Sequence, residues 1–395
     1  MRLRHRDGST VHLSYGSNVH PAESVDGIID QLGRYAVEVR ARLGAPRLGL
    51  GLWLPARAAH ELAGDPAALE RLRGALERHG LEVVTLNCFP YRGFHDEVVK
   101  REVYAPDWTT PERLDYTLAA ARVLAALLPD DAARGSISTL PLGWRTPWFA
   151  DRQAAAAARL EQLAAGLDAL RVETGRTVRV AFEPEPGCVI ETSRDAVARL
   201  AGSPALASGM LGICLDTCHL ATAFEEAREA LDRFDSAGLP LVKLQASAAI
   251  HAQDPGDPAT REALSAYAED RFLHQTRECR GPRVEGRDDL PEALTGHRPL
   301  PAEQPWRVHF HVPLHAAPQP PLRSTSDHLA DTLEVLLGGE TARLDHVEVE
   351  TYTWSVLPAA QRPTGDDGLI TGLAAEIAWT RDRLIEAGLT EGALV

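Results

Sequence analysis

Short, dense apolar runs recur along this chain, separated by longer stretches whose apolar positions follow helical spacing. The runs that read as strands are VHLSYGSN (11–18), RLGLGLWL (47–54), LEVVTLNCF (81–89), GSISTLPL (135–142) and TVRVAFEPEP (177–186). They continue with LGICLDTCH (211–219), PLVKLQAS (240–247), WRVHFHVPL (306–314) and HVEVETYTW (346–354). Residues 24–43 predict a helix. So does TTPERLDYTLAAARVLAALL, with Thr110 as N-cap and Pro111 in the first helical position. The alanine-rich stretch from Asp151 onward predicts a long helix closed by Gly175, with no chemistry of its own.

Strands that alternate with helices predict parallel pairing, because a parallel strand needs a long crossover. Eight such units close into a (β/α)8 TIM barrel. A doubly wound sheet of this size would carry a glycine-rich phosphate loop, and no early strand–helix junction reads GxGxxG. The expectation is one TIM-barrel domain over residues 1–395. Nine strand candidates are one too many, and the stretch 250–305, rich in Pro, Asp, Gly and His, breaks the rhythm. It reads as an insertion or lid between late strands, which leaves WRVHFHVPL as the seventh strand or as an addition beside it.

Residues two apart in a strand face the same way. Glu183 and Glu185 therefore share a face with Ala181; Asp216 shares one with Cys214, His309 with His311, and Glu348 with Glu350. In a barrel these faces meet at the C-terminal rim, where active sites sit. Glutamate, aspartate, histidine and glutamate from four strands form a ligand set for one divalent ion. Carboxylates with one imidazole suit Mn, Mg or Co, with Zn as a further candidate. Each residue also has a plain reading: a solvated turn for Glu183 or Glu185, a satisfied core histidine for His309, a helix cap for Asp216, a basic partner for Glu348. The conjunction weighs against accident, because burying so many like charges without a cation is costly. Asn18, His20, Asn87, Ser138, Thr139 and Trp144 bring small polar groups and an aromatic ring to the ends of the early strands, which suits a polyhydroxylated ligand. Lys243 shares a face with Gln245 and Ser247, as a general acid or as the partner of a carboxylate.

Composition narrows the partners. The 395 residues are 44% apolar and 25% charged, with a net charge of −15. That balance can bury a large core and makes nucleic acid a poor partner. Five cysteines, odd in number and without a CxxC pair, suggest neither a disulfide framework nor a structural zinc site. The first residues lack the apolar core of a signal peptide and no run approaches a membrane span, so the expected location is cytoplasmic.

The glutamate strand, LDTCH, the histidine strand and the terminal EVET strand resemble the xylose-isomerase-like barrel superfamily, which includes sugar isomerases, epimerases and metal-dependent endonucleases of abasic-site repair. The resemblance implies that Glu183 and Glu350 bind the metal and act as acid and base. It implies that Asp216 and His311 complete the ligand set and that His219 contacts substrate. His309 and Glu185 are added here as candidate substrate contacts. Longer strings, among them YGSNVHPAES, TLNCFPYRGFHDEVVKREVYAPDW, HQTRE and EVETYTWSVLP, resemble the metabolite traffic protein EboE family over nearly the whole chain. That likeness implies a role in maturing or moving a secondary metabolite. In sugar epimerases the histidine strand closely follows the DTxH strand; here VKLQAS takes that place, so Lys243 or Gln245 is an alternative occupant of the ligand position.

The leading expectation is a metal-dependent isomerase or epimerase of a sugar or cyclitol-type metabolite that moves a proton beside a carbonyl. The alternatives are a metal-assisted hydrolase of the endonuclease branch, with room for a second ion near Glu185, Glu348 and His309, and a non-catalytic metabolite carrier. The expected partner is a small polyhydroxylated metabolite, with self-association as a homo-oligomer left open.

Overall fold

The computed structural model describes residues 1–392. Eight parallel strands form a closed ring: β1 (Thr10–Gly16), β2 (Leu48–Trp53), β3 (Leu81–Asn87), β4 (Gly135–Thr139), β5 (Val178–Phe182), β6 (Leu211–Asp216), β7 (Leu241–Ala246) and β8 (His346–Val349). β8 closes the ring by pairing in parallel with β7 and β1, so that Val347 stands opposite both Leu244 and Leu13. Helices lie between the strands in sequence. This is the (β/α)8 barrel that the strand–helix rhythm predicts.

Local sequence sets the element limits. The helix Pro66–His79 starts at Asp65, whose carboxylate accepts from the Ala67 N–H at 2.9 Å, and stops at Gly80 with φ 66°. Ala150–Thr174 stops in the same way at Gly175, φ 70°. Thr110 does stand at the N-cap of Pro111–Leu127, yet its hydroxyl donates to the Asp107 carbonyl instead of accepting from a helix amide. The 24–43 stretch is helical but carries a wider π turn at Leu32–Ala36.

The ninth strand candidate lies outside the ring. Of WRVHFHVPL only Trp306–Val308 is a strand, antiparallel to both Thr276–Arg280 and Ile250–Ala252 in a second, five-stranded sheet. That sheet reaches Ser324, beyond the limit of 305 that composition suggests, because Arg323–Ser324 pairs with Ile250–His251. Trp306 anchors it, buried with its indole N–H donating to Glu278 at 2.9 Å. Past Val308 the chain leaves the sheet and runs beside the end of β7, where the Val312 N–H donates to the Ala248 carbonyl at 2.9 Å.

Inside the ring, β7 and β8 place a buried ion pair. The Lys243 ammonium donates to Glu348 at 2.8 Å, and both side chains are sealed from solvent. Ser138 Oγ lies 3.5 Å from the same ammonium. Burial opposes the charge on Lys243, but Glu348 outweighs it and raises the lysine above its ordinary value. The pair needs a glycine across the ring, since a Cβ on Gly51 of β2 would overlap the Glu348 carboxylate. Gly51→Ala is therefore expected to cost about 1–3 kcal/mol, read as a lower midpoint in chemical unfolding. Gly64→Ala, where a Cβ meets open space, should not lower it.

Candidate active site

The stretch FEPEPG ends β5 at the barrel's C-terminal rim. Glu183 continues the strand's pairing through its N–H to the Thr139 carbonyl, 3.1 Å. Gly187 then turns the chain at φ 92°, where a Cβ would overlap the Trp144 ring. The glutamates are neither solvated nor a plain turn, for Glu183 is 3% and Glu185 5% exposed.

Asp216 serves two readings at once. Its Oδ1 caps the helix Thr217–Thr222 by accepting from the His219 N–H at 2.9 Å, and also accepts from Ser247 Oγ at 2.8 Å. Its Oδ2 is buried and without a partner. Glu350, just past β8, is held by two amides: Asn18 Nδ2 and Asn87 Nδ2 donate to Oε1 at 2.9 and 2.6 Å. His311 donates from Nδ1 to the Glu350 carbonyl at 2.6 Å, which leaves Nε2 as a bare acceptor, again without a partner. Glu183 Oε2 is the third such orphan.

These atoms converge. Oxygens of Glu183, Asp216 and Glu350 lie within 4.8 Å of one another, and so do single atoms of Asp216, His219 and His311. Several ligand atoms have their companion atom tied down by a hydrogen bond, the pattern by which outer groups aim metal ligands. Three carboxylates and an imidazole, with buried acceptors unpartnered on Glu183, Asp216 and His311, fit a hard divalent cation. Burial, with Glu350 and Asp216 as neighbours, pushes Glu183 well above the carboxylate range. Burial beside Asp216 and Glu348 does the same to Glu350.

Glu185 and two histidines form an adjoining group. Burial raises Glu185 to about 8 even though the Tyr104 hydroxyl donates to it at 2.6 Å. His219 Nδ1 donates to the Pro184 carbonyl at 2.9 Å and His309 Nδ1 to Gln275 Oε1 at 2.7 Å. The Gln275 amide orientation is set by its N–H donation to the Pro186 carbonyl, 2.9 Å. Both imidazole donors thus point outward, and two Nε2 lone pairs face each other at 3.0 Å. Burial lowers His219 to about 4 and holds His309 well below its ordinary value, so neither ring readily supplies the missing proton.

Two residues expected at the rim, Trp144 and His20, stand elsewhere, and Lys243 takes the second of its two expected roles, as the partner of a carboxylate. Lys243 lies a layer below, committed to Glu348, and does not line the cleft. Trp144 is behind Tyr104, ring centroids 4.8 Å apart, in a backbone bridge with Cys188. His20 stacks on Tyr35 at 4.2 Å in a separate small cavity, because the π turn carries Tyr35 there. Asn18 and Asn87 are present, but their amides are directed at Glu350. The alternation did not reveal Tyr104, Phe94, Phe272 and Tyr352, which line a cleft of about 500 Å³ counted with its open mouth. Tyr352, two residues past Glu350 on the same parity, carried a readable signal; Phe272 carried none, since the insertion delivers it.

The profile of the family described as "Xylose isomerase-like TIM barrel" matches residues 37–275. The chain belongs to that family. The family span contains Glu183, Asp216 and His219; His311 and Glu350 lie beyond it. Among solved structures, a candidate sugar phosphate isomerase/epimerase of Anabaena variabilis ATCC 29413 is 14% identical, with TM-score 0.50 over 96% of this chain and all of that one. An L-ribulose 3-epimerase is 11% identical, with TM-score 0.51 over 95% of each chain. Both likenesses are of fold. No curated protein matches the sequence. Among the described residues no helix is long and apolar enough to cross a membrane.

The buried acids predict how stability depends on pH without metal. A carboxyl raised in the folded state binds protons there that the unfolded chain has released, so its contribution falls as pH rises toward the folded value. His219 acts oppositely, but only between about 4 and the ordinary histidine value of about 6.5. The buried Met1 ammonium, lowered to about 6, also acts oppositely, as one group against the raised Glu183, Glu185, Glu350 and Glu376. With chelator present, the melting temperature should therefore fall from about pH 6.5 to 8, the Glu185 value. Millimolar Mn²⁺ should remove the part of that slope that comes from Glu183 and Glu350 and leave the part that comes from Glu185. A melting temperature that rises over this window in chelator would contradict the buried-acid account.

Proposed function

We propose that the protein is a metal-dependent isomerase or epimerase of a hydroxyketone of sugar or cyclitol type. The observation that carries this reading is the convergence of Glu183, Asp216 and Glu350 within 4.8 Å at a buried barrel rim. In it, Glu183, Asp216, His311 and Glu350 hold one Mn, Mg, Co or Zn ion. Such an ion would polarise a carbonyl and offset the negative charge that develops on its oxygen. Glu183 and Glu350 are the acid and base. One takes the proton from the carbon beside the carbonyl, the C–H electron pair forms a carbon–carbon double bond and the carbonyl π pair moves to oxygen. Returning the proton to the same carbon from the other face gives the epimer. Returning it to the former carbonyl carbon, with the neighbouring hydroxyl proton passing to the first oxygen, gives the isomer. Burial raises both carboxyls above the ordinary carboxylate range in the metal-free protein, which makes each a stronger proton acceptor than a free glutamate. His219, His309 and Glu185 contact the substrate, and Asn18 and Asn87 orient Glu350. Lys243 holds Glu348 and lends positive charge from below.

The motif resemblance to the EboE family supports placing this chemistry in the maturation or traffic of a secondary metabolite in the cytoplasm. The barrel acts as a single domain over 1–395, with 250–305 at the core of its lid. A second reading, hydrolysis with two ions, is favoured by one observation: atoms of Glu185, His219 and His309 also lie within 4.8 Å, with two lone pairs in opposition.

Elemental analysis of protein purified without chelator tests both. About one divalent ion per chain, lost in Glu183→Gln/Glu350→Gln, is expected, and the loaded protein should exchange a ketol's α-proton with deuterated water. Two ions per chain with no exchange would favour the hydrolase. An ion-free chain, even after soaking in these metals, would leave a metabolite carrier.

A further inference from the structure

The cleft is two-natured. Its floor holds the acids and histidines described above, and its walls are apolar. Phe94, Phe272 and Tyr352 form a closed trio with centroids 5.0–5.2 Å apart. Phe89 packs on Tyr104 at 6.0 Å, and Val103 and Leu273 complete the lining.

Polar groups on the walls are already engaged. Lys100 Nζ donates to Asp289 at 2.6 Å, to the Phe272 carbonyl at 2.8 Å and to the Glu269 carbonyl at 3.3 Å. The Tyr104 hydroxyl bonds Glu185 and Gln275. Only the Tyr352 hydroxyl, among the described lining residues above the floor, has no protein partner assigned to it. The outer hydroxyls of a ketohexose would lose water here without regaining comparable bonds.

The apolar wall is built rather than incidental. The N–H groups of Val99 and Lys100 both donate to the Arg271 carbonyl at 2.8 Å, joining the loop after β3 to the insertion. Glu269 braces the turn by accepting from the Arg271 and Phe272 N–H groups at 2.6 and 3.0 Å and from His274 Nε2 at 2.7 Å. Phe272 is thereby held over the floor.

Resting on the isomerase reading above, we propose that the substrate is a hydroxyketone bearing an apolar arm, not a free sugar. The ketol head meets the acid–histidine floor, and the arm lies along the Phe94–Phe272–Tyr352 wall. Burying an apolar arm there releases water from apolar surface on both sides.

The test uses the Mn²⁺-loaded full chain and calorimetric titration with hydroxyacetone, 2-hydroxyacetophenone, 1-hydroxy-2-octanone and D-fructose, with acetophenone as the arm without a ketol. The two arm-bearing ketols should bind about 30-fold more tightly than hydroxyacetone, with D-fructose and acetophenone no better than hydroxyacetone. That gain should shrink about tenfold in both Phe94→Ser and Phe272→Ser while metal content stays at the wild-type level. D-fructose as the tightest ligand, a gain unchanged in both variants, or no binding of any ketol overturns the proposal. Deuterium exchange followed in the same samples separates the two readings. Arm preference without exchange keeps the apolar-arm substrate and removes the isomerase, whereas exchange of every ketol without preference does the reverse.

Discussion

Electrostatic repulsion at the barrel mouth is the constraint on which the rest of this structure depends. Three carboxylates stand within 4.8 Å of one another, all nearly sealed from water. Their mutual repulsion is strong at low dielectric, and the protein answers it only in part. The buried lysine ammonium beneath them, Lys243, is committed to Glu348. The histidines beside them are driven neutral by burial and offer lone pairs, not charge. Two routes remain open to the site: protons on the acids, or a divalent cation among them. That choice links metal binding, acid–base capacity and stability in one place.

The surrounding residues sharpen the choice. Hydrogen bonds tie Asp216 Oδ1, Glu350 Oε1 and His311 Nδ1, and they leave Asp216 Oδ2 and His311 Nε2 buried without a partner. The insertion completes the arrangement from above. It brings His311 to the rim after an excursion through a second sheet, and it hangs Phe272 over the floor by bonds to the loop after β3. A polar, charge-hungry floor under an aromatic wall is therefore a product of two distant parts of the chain meeting.

Much of this was legible in the alternation of residues. Eight of the nine strand candidates are the ring strands. The parity that put Glu183, Asp216 and Glu350 on inward faces places them where the structure brings them together, whereas His311 reaches Asp216 from irregular chain past Val308 and not from a strand face. Two residues misled for one shared reason: a residue near a strand end need not project into the mouth. His20 is drawn aside by Tyr35 in a π turn and Trp144 is screened by Tyr104, whereas Lys243 takes the other role the sequence offered it, as the partner of a carboxylate one layer down.

What the sequence by itself determined was the periodic part: strand faces, the helix end at Gly175, and the succession of acids at strand termini. These follow from backbone geometry repeated every two or 3.6 residues, which a single chain displays openly. Only the tertiary structure decided which of Glu348 and Glu350 is buried with a lysine and which stands at the rim. It alone took Trp306 out of the barrel and set Phe272 beside Tyr352. Such pairings are made by side chains from strands and loops far apart in sequence, where ring closure, a glycine's missing Cβ and an available partner select the neighbour, and no local pattern encodes them.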